Sequence, residues 1–350
     1  MGETGVTEGE PMTSRERVAA ALRREQPDRV PFCELGVDQA LAEKILGRDL
    51  PPHPDLETNP RCLADEIELA ERLGKDNICY TLRAPVYAEK AHSSDGTLYY
   101  TEGMIASQDD LGMIELPDPE DDRLYETLAE WAANKRDFSL WMITRLGFFP
   151  AMLSLGMERF CTALYDDPGL VASVMDIYCE WAGAVVERVS QLDVDVISST
   201  DDMAGKAGPI ISPAVFHEVA FPRMHLAAQG IDKPWVLHSD GDLTPLLPDL
   251  LALGIDGLHP NENGAMDIRA MKRDYADRLC LLGNVDLNLL MMATPEVVAE
   301  EVRGLIRDVG PGGGYIVTSG NSLAYYCEVE NVYAMRDAVH RYGEYPLAVG

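Results

Sequence analysis

The chain has 350 residues, 46% hydrophobic and 25% charged, the balance of a folded protein with room for one large barrel or two ordinary domains. Lys and Arg number 29 against 59 for Asp and Glu, and a formal charge of −30 repels phosphate backbones, so nucleic acid is not an expected partner. No apolar run reaches the roughly 18–20 residues that cross a bilayer, and the acidic opening MGETGVTEGEP has no basic region followed by an apolar stretch, so neither a membrane nor a secretory signal is expected.

Residues 1–12 read as a disordered tail, and 13–350 as a single domain. Thr13 with Glu16 three residues on is a capping-box pattern and predicts a helix over 14–24. Short apolar runs then predict strands over 30–35, 77–82, 138–144, 194–199, 234–238, 255–259, 279–283 and 314–318. Amphipathic stretches between them predict helices over 60–74, 124–135, 170–191, 213–229, 243–254, 267–275, 295–309 and 332–342. Ser212-Pro213 and Thr294-Pro295 place a cap before Pro in the first turn, and Gly74 and Gly254 sit where a left-handed residue ends a helix. The stretch 85–117 alternates differently, with a turn at Ser94-Asp95-Gly96, and reads as a β-hairpin insertion after the second strand. Seven cysteines, irregularly spaced and without a CxxC pair, fit reduced thiols in a cytoplasmic protein.

Eight strand–helix repeats with no linker predict a (β/α)8 TIM barrel, whose active site gathers at the C-terminal strand ends. Polar residues recur there: Glu34, Arg145, Asp201 and Asp202, His238 and Asp240, His259 and Glu262, Asn284 and Asp286, and Ser319 to Asn321. Some have plain structural readings. Asp201 and Asp202 suit helix caps, Asn284 and Asp286 suit bonds within their own loop, and His217 suits a solvent-facing helix position.

Several segments carry a resemblance. They are Thr13-Ser-Arg-Glu-Arg-Val-Ala-Ala-Ala-Leu, Pro-Asp-Arg-Val-Pro at Pro27–Pro31, Ser212-Pro213, His238-Ser-Asp-Gly241, Gly254-Ile-Asp-Gly-Leu-His-Pro, Ala265-Met-Asp, Leu282-Gly-Asn-Val-Asp286, Pro311-Gly-Gly-Gly-Tyr315 and Glu330-Asn331. In these the chain resembles the uroporphyrinogen decarboxylase superfamily, which also holds corrinoid-dependent methyltransferases. The resemblance implies a (β/α)8 barrel, in agreement with the strand count.

It also implies a choice of chemistry. Decarboxylases of the superfamily carry an arginine-rich motif after the first strand and an aspartate near the end of the second; here those places read Glu34-Leu-Gly-Val-Asp38 and Tyr80-Thr-Leu-Arg83. The thiol-methylating branch holds zinc by His-x-Cys and a later Cys, where this chain has His238-Ser239-Asp240 and Ser319-Gly-Asn-Ser322. The ether-cleaving branch spaces three zinc ligands as Asp202, His217 and His238 are spaced here, with Glu218 as an alternative to His217. The resemblance thus implies a zinc- and corrinoid-dependent methyltransferase acting on an O-methyl small molecule, with a small corrinoid carrier protein as partner. Asp202, His217 and His238 would be the metal ligands and Asp240 and Glu262 catalytic acids. Glu34, Arg145, Asn284, Asp286 and Asn321 would contact substrate or cofactor. The rival readings are a uroporphyrinogen decarboxylase, which needs no metal, and a barrel that binds a ligand or corrinoid without turnover.

Overall fold

The structure, a computed structural model, describes residues 11–52, 57–92 and 98–347. The tail expected over 1–12 therefore lies outside the described residues except for its last two. The capping box forms as expected: the Glu16 N–H donates to the Thr13 hydroxyl at 3.2 Å, and the Thr13 N–H donates to the Glu16 carboxylate at 2.8 Å. The helix it starts is Ser14–Leu22.

Strand β1 (Asn77–Thr81) is followed by an antiparallel hairpin, β2 (Ala88–His92) and β3 (Leu98–Gly103), then by β4 (Ser139–Thr144) and β5 (Val196–Thr200). A two-residue pair, β6 (Ala204–Gly205) and β7 (Gly208–Pro209), precedes β8 (Trp235–His238), β9 (Gly257–His259), β10 (Cys280–Leu282) and β11 (Tyr315–Ile316). Seven of these form one parallel sheet in the order β1-β4-β5-β8-β9-β10-β11. The hairpin sits where an insertion was expected, and its turn at 94–96 lies outside the described residues.

The eighth expected strand, over 30–35, closes the barrel without forming a regular ladder. On one side Cys33 N–H donates to Val317 O at 3.0 Å and Val317 N–H to Pro31 O at 2.9 Å. On the other, Asp76 N–H donates to Phe32 O at 2.6 Å, and beyond it the Asn77 side chain takes over: it accepts the Glu34 N–H and donates to the Glu34 carbonyl, both at 3.0 Å. Pro31 has no N–H to give a ladder, which explains why periodicity alone overstates this strand.

Alternation along the strands divides the core in two. Cys33, Leu35, Trp141, Ile143, Val196, Val236, Cys280, Leu282 and Ile316 form one cluster with Val18, Ala21 and Leu22 of the first helix. Leu140, Met142, Ile197, Leu237 and Leu281, next to them in sequence, belong to the larger cluster shared with the surrounding helices. A period of two puts the first set inside the barrel and the second under the helices. The first helix thus plugs the N-terminal end of the barrel, and the other end is left for chemistry.

Most expected helices are present, including Pro295–Val309 with the bounds expected and Leu63–Leu73 ended by Gly74 at φ 63°. The expected helix over 213–229 is interrupted by a wider turn at Phe216–Ala220. Helix Phe148–Leu155 was not expected. Its residues are mostly buried and apolar on every side, so no amphipathic stripe marks it. Pro168–Ser190 is the one described helix long and apolar enough to cross a membrane by length and composition, which corrects the expectation that no run was long enough. Its apolar side is buried in the core.

Asp76 ties the plug to the barrel. Only 1% exposed, it accepts from Phe32 N–H (2.9 Å), Ser14 Oγ (2.8 Å), Arg17 Nη1 (2.6 Å) and Arg29 Nη1 and Nη2 (2.9 Å each). Asp76→Asn keeps the shape but removes the negative charge these two guanidinium groups share, and should cost about 3–5 kcal/mol, the range for breaking a buried ion pair on one side. Urea unfolding should show a lower midpoint at unchanged slope; an unchanged midpoint would refute this role.

Candidate functional site at the barrel mouth

A cavity of about 820 Å³ opens at the C-terminal ends of the strands. Cys79, Thr81, Ile143, Thr200, Asp202 and His238 bring the barrel to its wall, and Lys90, His92 and Leu98 bring the hairpin. Sheet register aligns the strand ends there, since Thr200 pairs with His238 and His238 with His259 on consecutive strands. Of the polar residues expected at the strand ends, Arg145, Asp202 and His238 line this cavity.

Three groups able to ligate a metal converge: one oxygen each of Asp202 and Asp240 and one nitrogen of His238 lie within 4.8 Å of one another. Asp202 Oδ1 accepts the Asp240 N–H at 3.0 Å and stands 3.8 Å from His238 Nε2. The turn carrying Asp240 is held close by Gly241, at φ 87°, where a Cβ would lie 2.5 Å from the Ala204 carbonyl carbon. Asn321 donates to Asp240 Oδ2 at 2.7 Å, while Asp240 Oδ1 is buried with no partner. Burial first, then the charges of Asp202 and Glu262, push the Asp240 carboxyl up to about 7. Glu262 accepts the Gly241 N–H at 2.8 Å and faces Lys206 at 3.4 Å, so it braces the turn.

His238 and His259 meet Nδ1 to Nδ1 at 2.7 Å, so one of these atoms carries the hydrogen. Burial lowers the pKa of both rings, and His259 is fully enclosed. A neutral pair bonded this way couples the two tautomers: the ring that donates from Nδ1 has a bare Nε2, and the ring that accepts carries its hydrogen on Nε2. His259 was counted among the strand-end residues but given no role; the register of two strands that each end in His was the available signal.

Other expected site residues lie elsewhere. His217 is 67% exposed, 2.8 Å from Asp249 through Nδ1 and stacked on Phe221. It stands on the outer layer, where Phe216 and Ala220 take the buried face of that turn, and Glu218 is exposed too. Neither joins the group at the mouth, which corrects the spacing-based ligand set: Asp240 is the third group there. Glu34 is fully buried, with one oxygen accepting Ser319 N–H and the other Ser319 Oγ, both at 2.7 Å. Asn284 donates to Asn261 O at 2.5 Å, and Asp286 caps helix Leu287–Met292. None of Glu34, Asn284 and Asp286 lines the cavity; buried bonding and capping take up their polar atoms. Asp201 does not cap a helix of its own loop, which was its plain reading; it bonds the segment after β4, accepting from Leu146 N–H at 2.7 Å and from Phe149 N–H in the first turn of helix Phe148–Leu155 at 3.0 Å.

Arg145 does line the cavity, as expected, and Arg83 joins it. Burial and the nearby Arg145 press the Arg83 guanidinium down to about 9. Tyr100 of the hairpin bonds Glu57, which also pairs with Lys90 at 3.1 Å. Nothing in the alternation of the hairpin signalled that it would bring charged groups to the mouth.

The family described as uroporphyrinogen decarboxylase (URO-D) matches residues 13–342. The chain belongs to the uroporphyrinogen decarboxylase family. Among curated relatives, the uroporphyrinogen decarboxylase of Alkalilimnicola ehrlichii is 26% identical over 250 residues, covering 68% of this chain and 67% of that protein. That of Pseudoalteromonas atlantica is 23% identical over 273 residues, covering 70% and 73%. Among solved structures, a methyltransferase from Methanosarcina mazei superposes with a TM-score of 0.73 at 19% identity, covering 94% of this chain and 99% of that one. This likeness establishes the family's barrel fold.

One site residue affects stability rather than binding. Burial pushes the Glu34 carboxyl from an ordinary value of 4.5 up to about 8. Between those values the unfolded chain has released the proton and the folded chain retains it, so this residue lowers stability as pH rises from about 4.5 to about 8. Glu34→Gln keeps an acceptor for Ser319 N–H and removes the titration. Its melting temperature relative to the unaltered protein should climb between pH 5 and pH 8; a constant difference would rule the account out.

Proposed function

We propose that this family member is a methyltransferase that moves a methyl group between an O-methyl small molecule and a corrinoid borne on a small carrier protein, with zinc held by Asp202, His238 and Asp240. The observation that carries the reading is the convergence of these three groups beside the cavity, with Asp240 Oδ1 buried and unpartnered. Two carboxylate oxygens and an imidazole nitrogen suit zinc, and three protein ligands are the number that catalytic zinc sites use. Zinc would supply Lewis acidity toward the ether or alcohol oxygen of the methyl donor, and the corrinoid a cobalt nucleophile for its methyl carbon.

The chain's own residues prepare the site. With His238 donating its Nδ1–H to His259, the lone pair of His238 Nε2 is left on the side of Asp202; the His259 ring takes the orienting place that a carboxylate often fills. Asn321 fixes the rotation of Asp240, and Glu262 fixes the turn that carries it. Seven free cysteines fit the proposed cytoplasmic setting.

Decarboxylation is the second reading, favoured by the names of the curated relatives. Against it, Glu34 stands where the resemblance puts a carboxylate-binding arginine motif, and it is buried against Ser319. Metal analysis after dialysis against zinc and a weak chelator separates the readings. About one zinc per chain is expected in the unaltered protein and in His217→Ala, with severe loss in His238→Ala. Methyl transfer to free cob(I)alamin should follow the same order. Zinc retained by His238→Ala, or conversion of uroporphyrinogen III to products with fewer carboxylates, would overturn the proposal.

A further inference from the structure

The cavity holds one feature that neither metal binding nor methyl transfer uses. Arg145, 7% exposed, follows directly on strand β4 and lines the same cavity as Asp202 and His238. Its Nε and Nη1 are buried without a hydrogen-bond partner. A guanidinium carries five donors and stays charged, so leaving the donors of two of its nitrogens unpaired in a buried place is costly unless something accepts from them.

The protein groups around it do not fill this need. Asp201, the nearby acid that offsets its charge, has one oxygen on Leu146 N–H and the other on Phe149 N–H. Phe149 and Tyr100 flank the guanidinium, with ring centroids 5.2 Å and 6.0 Å from its central carbon. These faces hold the group in place; the Tyr100 hydroxyl interacts with Arg145 as well, yet Nε and Nη1 still have no acceptor. Glu57 is bonded to Tyr100 and Lys90. The second guanidinium, Arg83, borders the same cavity, and each adds to the positive potential at the other. A protein of net charge −30 thus places Arg83, Arg145 and Lys90 around one cavity, together with Arg61 and Lys75, which are paired with Glu66.

We infer that the methyl donor is an anion: a small methylated molecule carrying a carboxylate, which Arg145 binds beside Arg83 while the methyl end lies toward Asp202 and His238. Planar guanidinium and planar carboxylate match in paired, charge-assisted bonds. The inference rests on the methyltransferase reading for the methyl group, and on Arg145 alone for the carboxylate.

Calorimetric titration separates the two. The probes are 4-methoxybenzoate and its neutral counterpart 4-methoxybenzamide, each titrated into the full chain as purified and again after EDTA treatment. In both preparations the acid should bind about 10–100-fold more tightly than the amide, the range for losing a hydrogen bond to a charged group. Arg145→Gln should abolish that preference while the amide still binds detectably, which also shows that the variant is folded, and Arg145→Lys should restore part of it. A preference that survives Arg145→Gln overturns the inference. So does one that disappears with EDTA, which would put the carboxylate on the metal. Failure of the acid to bind at millimolar concentration overturns it as well, as does Arg145-dependent binding of uroporphyrin without binding of the small acid. Arg145-dependent acid binding without methyl transfer would uphold the anion site and count against the methyltransferase reading alone.

Discussion

A single buried carboxylate joins the parts of this barrel that have least reason to meet. Asp76 precedes β1, yet its oxygens reach the first helix through Ser14 and Arg17, and the 30–35 segment through Phe32 N–H and Arg29. A closed barrel has no free edge, so its last junction has to bring chain ends from far apart in sequence into register. Here Pro31 weakens that junction as a ladder, and a charged network reinforces the few backbone bonds it keeps. The Asn77 amide and the Glu34–Ser319 pair extend the same solution toward the mouth. Everything at the C-terminal end inherits its spacing from this closure.

The electrostatics of the two ends differ in kind. At the plugged end, buried charges meet partners of opposite sign and neutralise one another. At the mouth, like charges are gathered: Asp202, Asp240 and Glu262 on one side, Arg83 and Arg145 on another. Grouping like charges in a poorly solvated space raises the free energy of the empty site, and the perturbed Asp240 and Arg83 register that strain. Clusters of this sort gain by binding a counter-charge. The acidic exterior does little to draw in an anion from afar, because screening by salt limits its reach to roughly 8–10 Å; selectivity belongs to the cavity wall.

Much of this was legible in the sequence, and the reasons for the rest are specific. Strands read well because a barrel strand covered on both faces is a short continuous apolar run, as Leu140 to Ile143 is. Residues at strand ends read well because the runs mark where each strand stops: His238, Asp202 and Arg145 all reach the mouth. Linear spacing failed for His217, since distance along the chain does not say which side of a helix a residue occupies, and Phe216 and Ala220 hold the inner side. Asp240, expected as a catalytic acid, comes within 4.8 Å of Asp202 and His238 because Gly241 lets the turn fold against Ala204. Glu34 was misread because a buried acid bonded to a serine and an acid turned toward substrate look alike as one letter at a strand end. The roles of Tyr100 and Lys90 were out of reach, since they depend on how an inserted hairpin leans on a barrel.

That hairpin divides the labour of the molecule. Strands β2 and β3 pair only with each other, outside the ladder that closes the barrel, yet Lys90, His92 and Leu98 form part of the cavity wall. Residues there can be exchanged without disturbing register, the plug or the Asp202–His238–Asp240 group. The scaffold is therefore modular in an evolutionary sense: a lineage could revise what enters the cavity by rewriting a short surface insertion, while the reacting end stays as inherited.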